Sequence, residues 1–321
     1  MCGAGKVERI RGGWRNFGGF AMEYAIGIDL GGSSVKAVAI TPGGEILQRV
    51  NEEFDIGEKL GFAEKIKAVF QSIQEKQGNE AISCGVAAPG LASRDHFSIA
   101  HMPGRLHGLE ELNWTEFLGT RSKVPVLNDA HAALLGEAWQ GAARGMEDVI
   151  MLTLGTGVGG AAIVDGRLLQ GHIGRAGHLG HNCLNMDAPK DVTGIPGSIE
   201  YFVGNWNIRE RTGGRFPTTH ALVDAFTRGD PYATHIWINS MRALAATVAT
   251  YINVLDPEAV IIGGGIARAG GALFDSLEQA LRPIEWQPGG HKVRLVPAQL
   301  GEFAGAIGSA KNGLEHLRPG A

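Results

Sequence analysis

The chain has 321 residues, 44% hydrophobic and 19% charged, with 49 glycines; this is the composition of a globular protein with many tight turns, long enough for two domains around one cleft. With 29 basic against 33 acidic residues the net charge is −4, which counts against nucleic acid as the main partner and gives no support for binding to a membrane surface. Cys2, Cys84 and Cys183 are scattered and odd in number, so reduced thiols in a cytoplasmic protein are expected, and no apolar run reaches the roughly 18 residues that span a bilayer.

Residues 1–21 are basic, glycine-rich and unpatterned, lack the apolar stretch of a signal peptide, and are expected to form a disordered tail, with Met22 as an alternative start. Gly3-Ala-Gly-Lys6 lacks the spacing and the preceding strand of a P-loop. Ala25–Ile40 reads as an apolar strand, a turn of Gly and Ser, and a second apolar strand, with a third strand over Glu45–Val50. Phe62, Ile66, Val69, Phe70 and Ile73 recur every three or four residues, which predicts an amphipathic helix over Lys59–Glu75. Ala81–Gly90 reads as a buried strand entering a turn, Val124–Leu127 as a short strand, and Ala130–Trp139 as a helix.

Met151–Val164 repeats the first hairpin. A helix over His235–Leu255 follows, then a buried strand within Ala259–Ala267 that ends in a Gly turn and starts a helix, a last strand at Val293–Pro297 and a final helix at Ala304–Leu317. Two units that each open with a β-meander predict an α/β duplication around a central cleft. The expected division is a tail over 1–21, an N-terminal α/β domain over 22–127 plus 304–321, and a C-terminal α/β domain over 128–303.

The two turns carry the first chemical signal. Glycine permits backbone angles that other residues avoid and lets N–H groups and hydroxyls approach an anion. One Gly-rich turn is more often a plain hairpin. Two of like design, Gly31-Gly32-Ser33 and Gly155-Thr156-Gly157, the first preceded by Asp29 where a Mg²⁺-bound phosphate would sit, point to a nucleotide gripped from both sides. Gly263-Gly264-Gly265, after a buried strand and before a helix, suits close approach of a ring or phosphate, or tight strand–helix packing. Lys36, at the end of an alternating strand, is left out of the core site.

Asp129 ends a strand and begins a helix, so its carboxylate could cap backbone N–H groups. With Asn128 beside it, suited to a sugar hydroxyl, it is also the candidate base for phosphoryl transfer. Gly171–His181 holds His172, His178 and His181. Without a Cys pair or fitting carboxylates a metal is disfavoured, and His178 and His181 are read as hydroxyl-recognising residues, while His172 carries no case.

Taken together, these residues resemble the ROK family of sugar kinases and repressors, within the hexokinase/actin-like ATPase superfamily, from Tyr24 to about Gly313. Asp29-Leu-Gly-Gly-Ser is similar to its first phosphate motif, Leu154-Gly-Thr-Gly-Val-Gly to its second, Asn128-Asp129-Ala to the catalytic segment in which the Asp is the base, Gly263-Gly-Gly-Ile-Ala to the adenosine motif, and Gly301–Gly308 to the closing Gly-rich segment. The resemblance implies a two-domain actin-like ATPase, ribonuclease H-like fold, and an ATP- and Mg²⁺-dependent kinase acting on a hydroxyl, the primary one, of a hexose or hexose-like polyol. It also implies a homodimer.

The departures are specific. The family's Gly-Glu-x-Gly-His is here Gly177-His178-Leu179-Gly180-His181; a carboxylate only accepts hydrogen bonds, whereas neutral imidazole accepts one and donates one, which puts ordinary glucose binding in doubt. The family's three zinc cysteines fall on Asp191, Thr193 and Ser198, while Gly194, Gly197 and Glu200 agree. Structural zinc is therefore not expected, and hydrogen bonds or apolar packing must hold that loop. Glu200 matches the second sugar-binding carboxylate, and Gly90 is placed with it on the substrate side. His131 replaces the usual Asn after Asn-Asp-Ala, at the pocket edge or the helix start. Three other readings stand beside the kinase: a sugar-sensing repressor, disfavoured by the charge and by the 21 residues before the first strand; a silent sugar-binding relative; and a polyphosphate-dependent kinase.

Overall fold

A computed structural model describes residues 22–55, 60–102, 104 and 106–317. The segment 1–21, with Gly3–Lys6, lies outside the described residues, as does Lys59 at the expected start of the first helix.

Strand β1 (Ala25–Leu30) pairs antiparallel with β2 (Ser34–Ile40), which pairs with β3 (Ile46–Glu53). Helix α1 (Gly61–Gln77) follows. It stops at Gly78, whose φ of 75° and N–H bond to the Gln74 carbonyl make a left-handed cap. β4 (Ser83–Ala88) lies parallel to β1. A small hairpin of β5 (Leu91–Ala92) and β6 (Ile99–His101), then α2 (Trp114–Leu118), lead to β7 (Val126–Asn128), parallel to β4. The sheet order is β3-β2-β1-β4-β7.

Helix α3 (Asp129–Gln140) crosses to the second unit, which opens with the antiparallel strands β8 (Val149–Leu154), β9 (Val158–Val164) and β10 (Arg167–Leu168). After helices α4 (Ile199–Val203), α5 (Ile208–Arg211), α6 (Thr219–Thr227) and α7 (Pro231–Leu255), β11 (Ala259–Gly263) joins β8 in parallel. Helix α8 (Gly271–Leu281) and β12 (Arg294–Pro297), parallel to β11, complete a sheet of order β10-β9-β8-β11-β12. The two sheets thus have the same order and strand directions, and the β1–β2 and β8–β9 turns occupy equivalent places.

α7 starts at Pro231, ahead of the expected His235. Asp230 caps it by accepting from the Ala233 N–H at 2.8 Å, and Pro231 fills the first turn, where its missing N–H costs nothing. Phe62, Ile66, Val69 and Ile73 of α1 pack with Ile26, Ile28 and Val86 in the first core. Trp237, Met241, Leu244 and Val248 of α7 pack with Ile150, Leu152 and Ile262 in the second. Each such side chain taken from water contributes about 1.5–3 kcal/mol.

The last helix, α9 (Ala304–Glu315), returns to the first sheet, lying over Gly27 of β1 and Gly85 of β4, where any Cβ would overlap the helix backbone. On its other side it meets α3 at Gly136 and Gly308, and a Cβ on either would strike the carbonyl oxygen of Ala304 or Ala132. Ala133 and Leu134 of α3 and Ala304 of α9 share a core with Met151 and Ala161 of the second sheet. Glu137, fully buried, accepts N–H bonds from Ala142 at 2.7 Å, Gln299 at 2.9 Å and Leu300 at 2.8 Å, which fixes α3 to the chain that enters α9.

Candidate active site

A cleft of about 940 Å³ is lined by Gly31, Gly32 and Ser33 of the β1–β2 turn, Gly155, Thr156 and Gly157 of the β8–β9 turn, Asn128 and Asp129, Gly90, and His178, His181 and Glu200. A second cavity of about 470 Å³, lined by Asp29, Gly263, Gly264, Gly265, Arg268 and Glu302, shares Asp129, Thr153 and Gly264 with it. Every residue that spacing singled out for the site lines one of the two. His172 lines neither and is exposed.

The glycines of the two turns act differently from expectation. Gly31, Gly32, Gly155 and Gly157 are absent from the positive-φ glycines of the described residues, whereas Gly90 (φ 104°) and Gly264 (φ 87°) are among them. At Gly157 the need is for space, since a Cβ there would overlap a Glu200 oxygen, whereas Gly32 and Gly155 face open space that a ligand can enter; outside the turns, a Cβ on Gly264 would overlap the Leu154 carbonyl. The second turn is fixed by its carbonyls, with Asn205 N–H donating to Gly155 and Trp206 N–H to Thr156, both at 3.0 Å. The Gly155 N–H is spent on the Gly157 carbonyl at 2.9 Å and the Val158 N–H on Glu200, so what the turn offers a ligand is the Thr156 hydroxyl and the N–H groups between them.

Asp29 stands opposite Lys36 in the β1–β2 register. Its carboxylate accepts no hydrogen bond and forms no ion pair among the described residues. Burial and the nearby charge of Asp129 push it up to about 7, against the lowering pull of Lys36. An unpartnered carboxylate beside a second one fits a divalent cation, which would lie between like charges that repel.

Asp129 occupies the first turn of α3, but the cap is Asn128, whose Oδ1 accepts from Ala130 N at 2.9 Å and His131 N at 3.4 Å. Asp129 Oδ1 accepts from Ala130 N as well, at 2.9 Å. Asn128 Nδ2 donates to the Gly90 carbonyl at 2.9 Å, and the same side chain acts on the Asp129 carboxylate. Burial raises the pKa of Asp129 against the lowering effect of these backbone and Asn128 contacts, in the direction that makes a carboxylate a better proton acceptor.

On the opposite wall, Glu200 sits in the first turn of α4, capped by Ser198. Its Oε2 accepts from Val158 N at 2.9 Å, and its Oε1 is buried without a partner. Burial raises it, offset by that bond and by His181. His181 Nδ1 lies 3.3 Å from Asp191 Oδ2, while Asp191 Oδ1 accepts from Thr193 N (2.8 Å), Thr193 Oγ1 (2.7 Å) and Ile195 N (3.0 Å). Burial alone would raise Asp191, but bonds from Ser198, Thr193 and Ile195 hold it below the usual carboxylate range. The four positions to which the resemblance gives zinc ligands are thus tied to one carboxylate. Oxygens of Asp191 and Glu200 and a nitrogen of His181 lie within 4.8 Å of one another, yet the Asp191 oxygens and Glu200 Oε2 already hold hydrogen bonds, a donor set unlike the thiolates that favour structural zinc.

Spacing did not single out Thr153, Arg268 or Glu302, which line the second cavity. Thr153 precedes the second turn on an apolar strand and carried a signal as a lone hydroxyl there. Arg268 and Glu302 carried none.

Two sheets of repeated order around one cleft define a two-domain α/β protein of the actin-like ATPase, ribonuclease H-like fold. The chain belongs to the ROK family, whose model matches residues 25–312. It is 32% identical over 305 residues to a glucokinase of Thermotoga maritima, covering 89% of this chain and 95% of that protein. A ROK hexokinase from Thermus thermophilus matches its structure with a TM-score of 0.82 at 28% identity, covering 92% of this chain and 100% of that one. A ROK family glucokinase from Streptomyces griseus, solved with glucose and AMPPNP, matches with a TM-score of 0.76 at 25% identity, over 91% and 99% of the two chains.

Proposed function

We infer that the chain is an ATP-dependent sugar kinase that transfers a phosphoryl group to a hydroxyl, the primary one, of a hexose or hexose-like polyol. The observation that carries this reading is the meeting of Asp129 with both glycine turns and with His178, His181 and Glu200 around one cleft. In this reading the turns Gly31–Ser33 and Gly155–Gly157 hold the phosphates through N–H and hydroxyl groups, and Gly264 and Gly265 border the adenosine. Asn128, Gly90, His178, His181 and Glu200 orient the sugar. Asp129 accepts the hydroxyl proton as the hydroxyl attacks the terminal phosphorus and the bond to the ADP oxygen breaks. Mg²⁺ held near Asp29 through the phosphates would supply charge neutralisation. Positioning and electrostatics do most of the catalysis. The resemblance adds a cytoplasmic homodimer and the division into domains over 22–127 with 304–321 and over 128–303.

Asp129→Asn is expected to lower kcat by about 10²–10⁴-fold while sugar still raises the melting temperature. A variant with wild-type turnover would remove Asp129 as the base.

A further inference from the structure

His131 and His178 form a pair whose contact and protonation the proposed reaction leaves unassigned, and the inference drawn from them rests on the reading that this side of the cleft, with His178, takes the sugar. His131, on α3 two residues after Asp129, is 2% exposed. It meets the His178 ring edge-on, with centroids 5.3 Å apart and planes at 61°. The Nε2 atoms of both rings are buried and have no hydrogen-bond partner. Gly177 closes the loop over them, since a Cβ there would stand 2.6 Å from His131 Nε2.

A neutral imidazole carries one N–H and one lone pair. The Ala176 backbone acts on the His131 ring and the Gly174 backbone on the His178 ring, each in the sense that favours a ring proton. Nothing accepts a proton at Nε2, so the proton belongs on Nδ1 and Nε2 is left as a bare acceptor. Glu200 Oε1, also buried and unpartnered, lines the same cleft as His178. Two unmet acceptors on one wall fit a ligand face that carries donors, as a polyol does.

We propose that His178 Nε2 accepts a hydrogen bond from the substrate, so that this corner selects a hydroxyl or amide N–H over an ether, a fluorine or a bare carbon, and that His131 is a positioning residue holding the His178 ring in that orientation. The wall contacts the sugar through His178, and His131 acts only through it.

The test uses the full chain, its best sugar substrate, and the monodeoxy and monodeoxyfluoro analogues at each hydroxyl. At one position both analogues are expected to lose about tenfold or more in kcat/KM by similar factors, because fluorine does not donate. In His178→Phe the parent sugar drops by the same factor and those two analogues drop no further, while His178→Gln, whose amide oxygen accepts, recovers part of the loss. His131→Ala is expected to raise the sugar KM about tenfold, with kcat and the ATP KM within about twofold. Histidine side-chain ¹⁵N spectra read the tautomers with or without turnover, and should place the proton on Nδ1 of both rings and shift His178 Nε2 when sugar is added. An Nε2–H tautomer or an imidazolium at His178 at pH 7 would overturn the proposal, as would an unchanged analogue pattern in His178→Phe. Turnover of no sugar would instead count against the kinase reading, and the spectra would still judge the tautomers.

Discussion

Asp29, proposed to face the Mg²⁺-bound phosphates, weakens the fold that carries it. Its carboxyl has an ordinary pKa of 3.8 and is pushed up to about 7 in the folded chain, so between those values the folded state binds more protons than the unfolded one. Its contribution to stability therefore falls as pH rises from about 4 to about 7 and levels off above that. Asp29→Asn removes this loss. The ligand-free variant is expected to melt higher than the wild type at pH 8, with the gap closing towards pH 4, and to have lost turnover. A melting difference independent of pH would show that Asp29 is not strained by ionisation. His131 works in the opposite sense, since a base held down at about 4 loses stability as pH falls below its ordinary 6.5, so the difference between variant and wild type is the quantity to follow rather than either curve alone. That Asp29 and Asp129 would face one cavity was legible in the sequence because each is tied to a turn or a strand end. The contact of His131 with His178 was not, because it joins α3 to a loop some 47 positions away through side-chain packing alone.

Among elements, the crossing of α3 and α9 rests on backbone contact at Gly136 and Gly308. Gly308→Ala inserts a methyl where the Ala132 carbonyl lies, and is expected to cost about 1–3 kcal/mol, read as a lower denaturation midpoint with an unchanged denaturant slope. A neutral result would mean that the helices separate freely. The loop from His181 to Ser198 is held by Asp191, so Asp191→Ala is expected to lower the melting temperature and raise the sugar KM, because His181 loses its partner. Chelator treatment of the wild type should leave its melting temperature unchanged; a drop would reveal a bound metal. The meanders, α1 and α7 were readable from apolar spacing, although the start of α7 was placed at His235 and the Asp230-Pro231 cap that sets it at Pro231 went unread. The hairpin of β5 and β6 and the short helices α2, α4 and α5 were missed, since elements of two to five residues carry too few positions for a period to register. The reason for the glycines was legible only in part: sequence shows that a turn lacks side chains, but only the packed neighbour Glu200 shows that Gly157 supplies space, while Gly32 and Gly155 are open to the cleft.

For the molecule as a whole, the duplication was visible because both halves open with the same hairpin, and the cleft between two like sheets follows from it. What spacing could not supply is the chemistry of the wall proposed to take the sugar, where His178 Nε2 and Glu200 Oε1 come from separate segments and both are unpaired, with His131 packed against His178. If substrate closes the two halves on one another, water is excluded from the phosphates and ATP hydrolysis without sugar stays slow; sugar together with a non-hydrolysable ATP analogue should then lower the radius of gyration in solution scattering, while equal radii with and without ligands would argue for a cleft that does not close. The most direct measurement is ADP release from Mg²⁺-ATP by the wild-type chain across hexoses, amino sugars, N-acetylated sugars, anhydrosugars and cyclitols, with glucose as reference. The account predicts saturable turnover on at least one of them, cut by about a hundredfold or more in Asp129→Asn; the absence of sugar-dependent ADP release from a chain that still binds sugar would contradict it.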